Sequence, residues 1–466
     1  MALCDIGLIG LGTMGSALSL NIAENGFKVA VWNREPKATK AFEKEAGDLA
    51  DRITPTFSHE ELVAALKPPR AIILMIPSGA PVDEQMAILR PLLDPEDMII
   101  DAGNADFHLT RARSKQFDGA PFIGIGVSGG EEGARHGPSI MGGGPKKSWD
   151  VVAPIFEAIS AKFEGQPCAT WMGPDGAGHF VKAVHNGIEY ADMQMISECY
   201  GIMRDGMGMA ASEIGDTFAK WNDGPLQSYL VEISGEVAKA VDPKTNGPML
   251  DAIVDKAGQK GTGRWTAIEA QHLAAPVPVI EAAVAARNMS ARKDIRIEGE
   301  EIFGAAPQKL ADDAISLDQL EAALIAGKIL CYAQGFRMLL AASEEFDWSL
   351  PLPAIAEVWR EGCIIRSAML DDMAEALTDD PARNLMFAPY FSEHLKRSHG
   401  DLRHVVAQAA LSGLATPALA SGLSYFDTMR TGRGTANMIQ GQRDYFGRHG
   451  FIHIDGSEGQ HGPWAD

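Results

Sequence analysis

Leu3-Cys4-Asp5-Ile6-Gly7-Leu8-Ile9 is a short apolar run, and Gly10-Leu11-Gly12-Thr13-Met14-Gly15 follows it at once. A helical pattern then continues through Asn25, Gly26 stands where a helix stop belongs, and Lys28 to Trp32 resumes an apolar run. This order reads as strand, glycine turn, helix, strand. A lone G-x-G-x-x-G is often a plain turn, but one that joins a strand to a helix inside a βαβ unit is a dinucleotide-binding signature. The glycines permit a tight turn and close backbone approach, and the helix N-terminus offers N–H groups and partial positive charge to a pyrophosphate.

The second strand ends at Asn33, where enzymes using NAD place an acid on the ribose 2'-OH, and Arg34 follows. An amide with an arginine suits a 2'-phosphate, whereas Glu35 would repel one unless it turns away. Solvated turn residues are the plainer reading of Arg34 and Glu35. Further strands are expected at Ala71 to Ile76, ending at Pro77-Ser78-Gly79, at Met98 to Asp101, ending at Ala102-Gly103-Asn104, and at Phe122 to Val127, ending at Ser128-Gly129-Gly130. In an open parallel sheet, ligands lie beyond the carboxyl ends of the strands. Cofactor candidates are therefore Gly10, Leu11, Gly12, Thr13, Met14, Gly15, Asn33, Arg34, Glu35, Ile76, Pro77, Ser78 and Asn104; Asn104 and Ser128 are also candidates for substrate, with turn chemistry as the alternative.

From residue 178 the strand signals nearly stop, and helical patterns run to about residue 430. The first is Gly178 to Met195, G-H-F-V-K-A-V-H-N-G-I-E-Y-A-D-M-Q-M, in which Phe180, Val181, Val184, Ile188, Ala191 and Met195 recur at helical spacing. Lys182, His185, Asn186 and Glu189 then share one face. Such a stripe is more often solvated, but Gly187 costs a helix about 1 kcal/mol relative to Ala, which implies that something packs closely there. A lysine and a glutamate facing an occupied cleft are a candidate base and acid. Residues 326–336, Ala326 to Phe336, faintly echo this stretch and raise the question of a duplication. Residues 256–265, K-A-G-Q-K-G-T-G-R-W, form a glycine-broken cationic stretch in which Lys260 and Thr262 could hold a phosphate, a solvated basic turn being the alternative. Arg287 in A-A-V-A-A-R-N-M-S calls for an anionic partner. From Thr431 the chain is rich in glycine and aromatics and cannot build its own core; it either frays or packs elsewhere.

Composition narrows the function. Hydrophobic residues make up 46% of the 466 and charged residues 22%, as in an ordinary globular protein. A net charge of -21 opposes nucleic acid and anionic membranes, so an anionic ligand requires a local cation cluster. No apolar run looks long enough to span a bilayer, and the N-terminus lacks a basic segment before its apolar residues, so a cytoplasmic location is expected. Five cysteines without C-x-x-C spacing indicate neither a disulfide framework nor a zinc site, and no metal is expected.

Together, G-L-I-G-L-G-T-M-G, V-S-G-G-E-E-G-A-R-H-G-P-S-I-M, K-A-V-H-N-G-I-E-Y-A-D-M-Q, K-G-T-G-R-W-T and Q-R-D-Y-F-G-R-H resemble the decarboxylating 6-phosphogluconate dehydrogenases, in order and spacing from about residue 5 to residue 450. The resemblance implies an α/β plus all-α protein: a Rossmann-type, doubly wound dinucleotide-binding domain over 1–177, an all-helical substrate and dimerisation domain over 178–430 with an internal duplication, and a tail over 431–466 that reaches the partner subunit of a homodimer. It implies conversion of 6-phosphogluconate to ribulose 5-phosphate and CO2 within the pentose phosphate pathway and gluconate utilisation. By the same resemblance Lys182 is the general base and Glu189 the general acid. Asn104, Ser128, Gly129, Gly130, His185, Asn186, Tyr190, Lys260 and Arg287 contact substrate, and Arg443 and His449 do so from the partner's tail. NADP is the implied cofactor, with NAD as the alternative because Glu35 and Pro77 stand where the family usually has Thr and Lys. Two other readings are a β-hydroxyacid dehydrogenase without decarboxylation and a catalytically silent nucleotide sensor.

Overall fold

The computed structural model describes residues 3–116, 120–258 and 261–464. Its first half is built on β1 (Ile6–Ile9), β2 (Val29–Trp32), β3 (Ile53–Pro55), β4 (Ala71–Leu74), β5 (Met98–Asp101) and β6 (Phe122–Gly124). All six strands are parallel in the order β3-β2-β1-β4-β5-β6, so the order reverses between β1 and β4. A ligand crevice opens beyond the carboxyl ends at such a reversal. These strands read as unbroken apolar runs because helices cover both faces of a parallel sheet, and Ile6, Leu8, Ile72, Ile73 and Ile99 are accordingly buried.

The run from Phe122 to Val127, expected as one strand, is two. β6 ends at Gly124, and β7 (Gly126–Ser128) leaves the large sheet to pair antiparallel with β8 (Ser139–Gly143). The break makes room: a Cβ at Gly124 would lie 2.6 Å from His179 Nδ1, and one at Gly126 would lie 2.4 Å from Lys182 Cβ. Beyond a short hairpin of β9 (Lys162–Phe163) and β10 (Gln166–Pro167), β11 (Ala169–Gly173) joins β8 in parallel to complete a three-stranded sheet.

Among the described residues after 173 the structure is helical apart from isolated bridges. Two long helices run through its core: Ala177–Gly201, called the catalytic helix after the candidate base and acid that it carries, and Leu317–Glu345. The second contains the echo at residues 326–336 and packs along the first, where Ile188 Cδ1 leaves no space for a Cβ on Gly335. Contrary to the sequence reading, this second helix is long and apolar enough to cross a membrane, with a mean hydropathy of 1.3. Its most apolar stretch is 83% buried inside the fold, so its apolar surface is spent on the core.

The C-terminal segment is better ordered than its composition promised. After the helix Ala436–Gly447, the buried Asp444 carboxylate accepts hydrogen bonds from the backbone N–H of Gly450 (3.0 Å) and Gly462 (2.9 Å), from His461 Nδ1 (2.7 Å) and from Trp464 Nε1 (3.1 Å). Led by the Gly462 amide, these donors hold its pKa down at about 2. A polar hub does here what an apolar core does elsewhere. Tyr445, Phe446, Ile452 and Ile454 are left exposed.

Candidate active site

The glycine turn lies at the sheet's reversal. Gly10 adopts φ +104°, and a Cβ there would strike Met75 O at 2.5 Å, while one on Gly15 would fall 1.8 Å from Gly10 O. Only glycine permits this approach of turn, helix and β4. Gly12 instead faces open space, at the N-terminus of the helix Thr13–Glu24. A cleft of about 270 Å3 is lined by Gly10, Gly12, Asn33, Arg34, Glu35 and Pro77 among others. Asn33 Oδ1 accepts from the Leu11 N–H at 3.0 Å and so ties the turn to the end of β2. Arg34 is exposed and makes no hydrogen bond or ion pair with the described residues. The glycine cradle, the free helix N-terminus and this uncommitted guanidinium fit a dinucleotide carrying a 2'-phosphate. Glu35, exposed at the same lip, opposes that charge.

The stripe on the catalytic helix is buried, not solvated. Lys182 and His185 are enclosed, Asn186 is 7% exposed, and the Glu189 side chain keeps 20%. Lys182 Nζ donates to Ser128 Oγ at 2.9 Å, and Ser128 Oγ lies 3.2 Å from His185 Nε2. His185 Nδ1 is 3.0 Å from Asn186 Oδ1, and Asn186 Nδ2 donates to Thr262 Oγ1 at 2.7 Å. Glu189 Oε2 is 3.7 Å from His185 Nδ1. The lysine therefore points from the helix to the end of β7, toward the nucleotide half. Gly187 has the close neighbour its cost implied, since a Cβ there would meet Thr266 Cγ2 at 2.6 Å.

Burial dominates the electrostatics. It lowers the Lys182 pKa, against the opposing influence of Glu189 and Cys363, and it raises that of Glu189 against Lys182 and Arg287. Burial also pushes His185 well below its ordinary value, with the Lys182 charge acting in the same direction, so this imidazole is neutral. A neutral His185 closes a consistent chain of donors: Lys182 to Ser128, Ser128 to Nε2, Nδ1–H to Asn186, and Asn186 to Thr262.

The other candidates are placed as follows. Asn104 is exposed beyond β5, and after β7 Gly129, at φ +108°, is the N-cap and Gly130, at φ +64°, the first residue of the helix Gly130–His136. Arg287 stacks on the Tyr190 ring, its Cζ 3.7 Å from the centroid, and donates to Gly258 O at 2.9 Å; among the described residues no carboxylate pairs with it. Lys260, expected to contact substrate, lies outside the described residues. Arg443 and His449 sit exposed on the tail; Arg443 donates to Gln440, and neither meets this chain's own stripe. Leu11, Thr13, Met14 and Gly15 form the turn and the first helical residues, and Ile76 and Ser78 follow β4.

A family model described as the 6-phosphogluconate dehydrogenase C-terminal domain matches residues 178–464, and the NAD binding domain of 6-phosphogluconate dehydrogenase matches residues 5–173. The chain belongs to the 6-phosphogluconate dehydrogenase family. It is 44% identical to the Bacillus subtilis 6-phosphogluconate dehydrogenase, NADP(+)-dependent, decarboxylating, over 99% of both chains. It is 44% identical to the Saccharomyces cerevisiae 6-phosphogluconate dehydrogenase, decarboxylating 1, over 96% of this chain and 92% of that one. A Plasmodium falciparum 6-phosphogluconate dehydrogenase structure superposes with a TM-score of 0.94 at 39% identity, covering 99% of this chain and 100% of that one. The resemblance drawn from five motifs thus extends over nearly the whole chain.

Sequence reading missed one wall of the site. Trp359 stands edge-on to His185 with ring centroids 5.7 Å apart, a Cβ on Gly129 would lie 2.6 Å from Gly362 O, and the buried Cys363 acts on the charge of Lys182. The signal available was W-R-E-G-C, an aromatic, a glycine and a cysteine breaking a helical pattern. Gly126 was missed too, because the space it leaves for Lys182 shows only once the two segments meet.

Proposed function

We propose that this chain converts 6-phospho-D-gluconate to D-ribulose 5-phosphate and CO2, with NADP+ as hydride acceptor, and that Lys182 and Glu189 carry the proton transfers. One observation carries the reading: Lys182 and Glu189 share a buried helical face, with the amine pKa lowered and the carboxyl pKa raised by burial. Neutral Lys182 takes the C3 hydroxyl proton while the cofactor accepts hydride from C3. The 3-keto acid then loses CO2 as its electrons collapse onto the ketone oxygen, to which protonated Lys182 returns the proton. Glu189 then protonates C1 of the enediol while Lys182, neutral again, takes the C2 hydroxyl proton, which gives the ketone. Ser128 and neutral His185 hold the amine in place, and Arg287 with Lys260 supplies positive charge for the substrate phosphate.

The division at 177/178 is kept, the two family matches meeting near it, and the tail over 431–466 is kept as a separate segment although one match runs through 430/431. We take the protein to be a cytoplasmic homodimer in which Arg443 and His449 serve the partner's site. In support, Asp444 fixes a tail that presents exposed aromatic and aliphatic side chains.

The direct test is to mix protein with 6-phosphogluconate and either NADP or NAD, following nicotinamide reduction and CO2 release. The expected result is stoichiometric CO2 and faster reduction of NADP. Faster oxidation of 3-hydroxyisobutyrate, or cofactor binding without turnover, would refute the reading. Replacing Glu35 by Gln removes a carboxylate from the 2'-phosphate's side of the cleft. A like charge several ångströms away near a surface is worth about 1 kcal/mol, so the NADP-to-NAD ratio of kcat/KM should rise about fivefold.

The acid and base roles also predict a pH profile. Activity needs Lys182 neutral and Glu189 protonated, which gives a bell. In Glu189→Gln the falling alkaline limb disappears and the residual rate, lower by about 100-fold, only rises with pH. That rise should lie at lower pH than the Lys182 titration of the parent, because the carboxylate that raised the amine's pKa is gone. An unchanged bell would remove Glu189 as the acid.

A further inference from the structure

Where the helix Phe107–Gln116 of the nucleotide-binding half meets the helix Thr262–His272 of the helical half, three metal-ligating side chains converge. Glu269 and His272 are spaced i, i+3 and so lie on one face of their helix, and His108 faces them from the other. Glu269 Oε2 is 2.9 Å from His108 Nε2 and 3.1 Å from His272 Nδ1, and the candidate ligand atoms all lie within 4.8 Å of one another. The Glu269 side chain is only 7% exposed, and among the described residues no lysine or arginine pairs with it. Two imidazoles alone leave this buried carboxylate short of compensating charge unless one of them is protonated. The His108 ring is already held, 4.0 Å from the Phe107 ring centroid and edge-on to Phe346.

We propose that His108, Glu269 and His272 form a binding site for a divalent ion of the Zn2+ class, which clamps the nucleotide-binding half to the helical half. Metal–ligand distances of about 2.0–2.2 Å place tetrahedral ligand atoms about 3.3 Å apart, a few tenths of an ångström from the two Glu269–imidazole spacings already present, while all three ligand atoms lie within 4.8 Å of one another. Two imidazoles and a carboxylate suit zinc, and they leave a fourth position for water from the exposed side. The site differs from the substrate cleft but is mechanically linked to it. The metal-bearing helix also carries Thr262 and Thr266, which bond to Asn186 and to Ala183 O on the catalytic helix, and His108 lies four residues beyond Asn104. A bound ion therefore ties two walls of the cleft together and should restrict their relative motion.

The test uses the full-length protein stripped with chelator and titrated with ZnCl2 by calorimetry, with Co2+ absorption reporting the geometry. The expected result is one saturable equivalent per chain, a tetrahedral Co2+ spectrum and a rise in Tm with Zn2+. His272→Ala, at an exposed helix end, should keep the fold and weaken binding by about 100-fold or more, abolishing the Tm rise. Glu269→Gln, which keeps shape and hydrogen bonds, should do the same. Zinc binding in either variant as tight as in the parent, or no saturable equivalent in the parent, overturns the proposal.

Discussion

Turnover of a Lys182→Arg variant is expected to fall by about 10^3- to 10^4-fold with cofactor binding retained, because a guanidinium stays protonated at every assay pH and cannot accept the C3 hydroxyl proton. Arginine is also too large for a pocket in which Gly126 already leaves just enough space for the Lys182 stem. Lys182→Met separates the two effects, since it roughly preserves volume and loses only the amine. Both variants should lose activity to a similar degree. The methionine protein should also unfold at a higher temperature. Burial depresses the Lys182 pKa in the folded state, so the unfolded chain binds the extra proton. Folded stability therefore rises with pH between the depressed value and the free value near 10.4, and at neutral pH the buried amine is a cost. Steady-state rates, cofactor fluorescence and a thermal scan check this together. Turnover within tenfold of the parent in either variant would remove Lys182 as the base.

The largest expected effect on stability lies about three turns further along the same helix, where Asp192 meets Lys328 of the helix Leu317–Glu345. Lys328 and Asp192 form an ion pair of 2.6 Å in which both side chains are enclosed, and Lys328 also reaches Ser228 Oγ at 3.3 Å. Among the described residues Asp192 Oδ1 has no hydrogen-bond partner, so the ammonium is the main compensation for this carboxylate. Lys328→Met should destabilise by about 3–5 kcal/mol by leaving a charge in the core. Changing both partners, Lys328→Met with Asp192→Leu, should recover most of the loss, because two apolar side chains carry no desolvation penalty. Thermal unfolding of the single and double variants decides the matter: equal losses in both would mean that packing, not the charge pair, governs the contact. Since Asp192 is three residues from Glu189, the single variant should lose activity below its unfolding temperature as well.

Local periodicity carried much of this fold. The first glycine turn, the stop at Gly26, with φ +95°, and the strand Met98–Asp101 were all readable because each depends on residues within one or two turns of chain. The stripe of Lys182, His185, Asn186 and Glu189 was readable for the same reason, and Gly187 announced its close neighbour without identifying Thr266. The break at Ile125 was not readable. V-S-G-G follows an apolar run that suits one strand equally well, and the split is imposed by His179 and Lys182 arriving from more than fifty residues away. The Asp444 hub escaped because a carboxylate bonded to amides 6 and 18 residues later has no periodic signature.

By itself the sequence determined the strand, turn, helix and strand around the nucleotide turn, the change from strands to helices near residue 178, and which four polar side chains share a helical face, since each follows from spacing along one segment. Only the tertiary structure decided that this face is buried, that its lysine meets Ser128, and that Trp359, Gly362 and Cys363 close the site. Burial is a property of what packs against a segment, and burial is what draws the amine and carboxyl pKa values toward each other, the pair of shifts on which the proposed proton transfers rest.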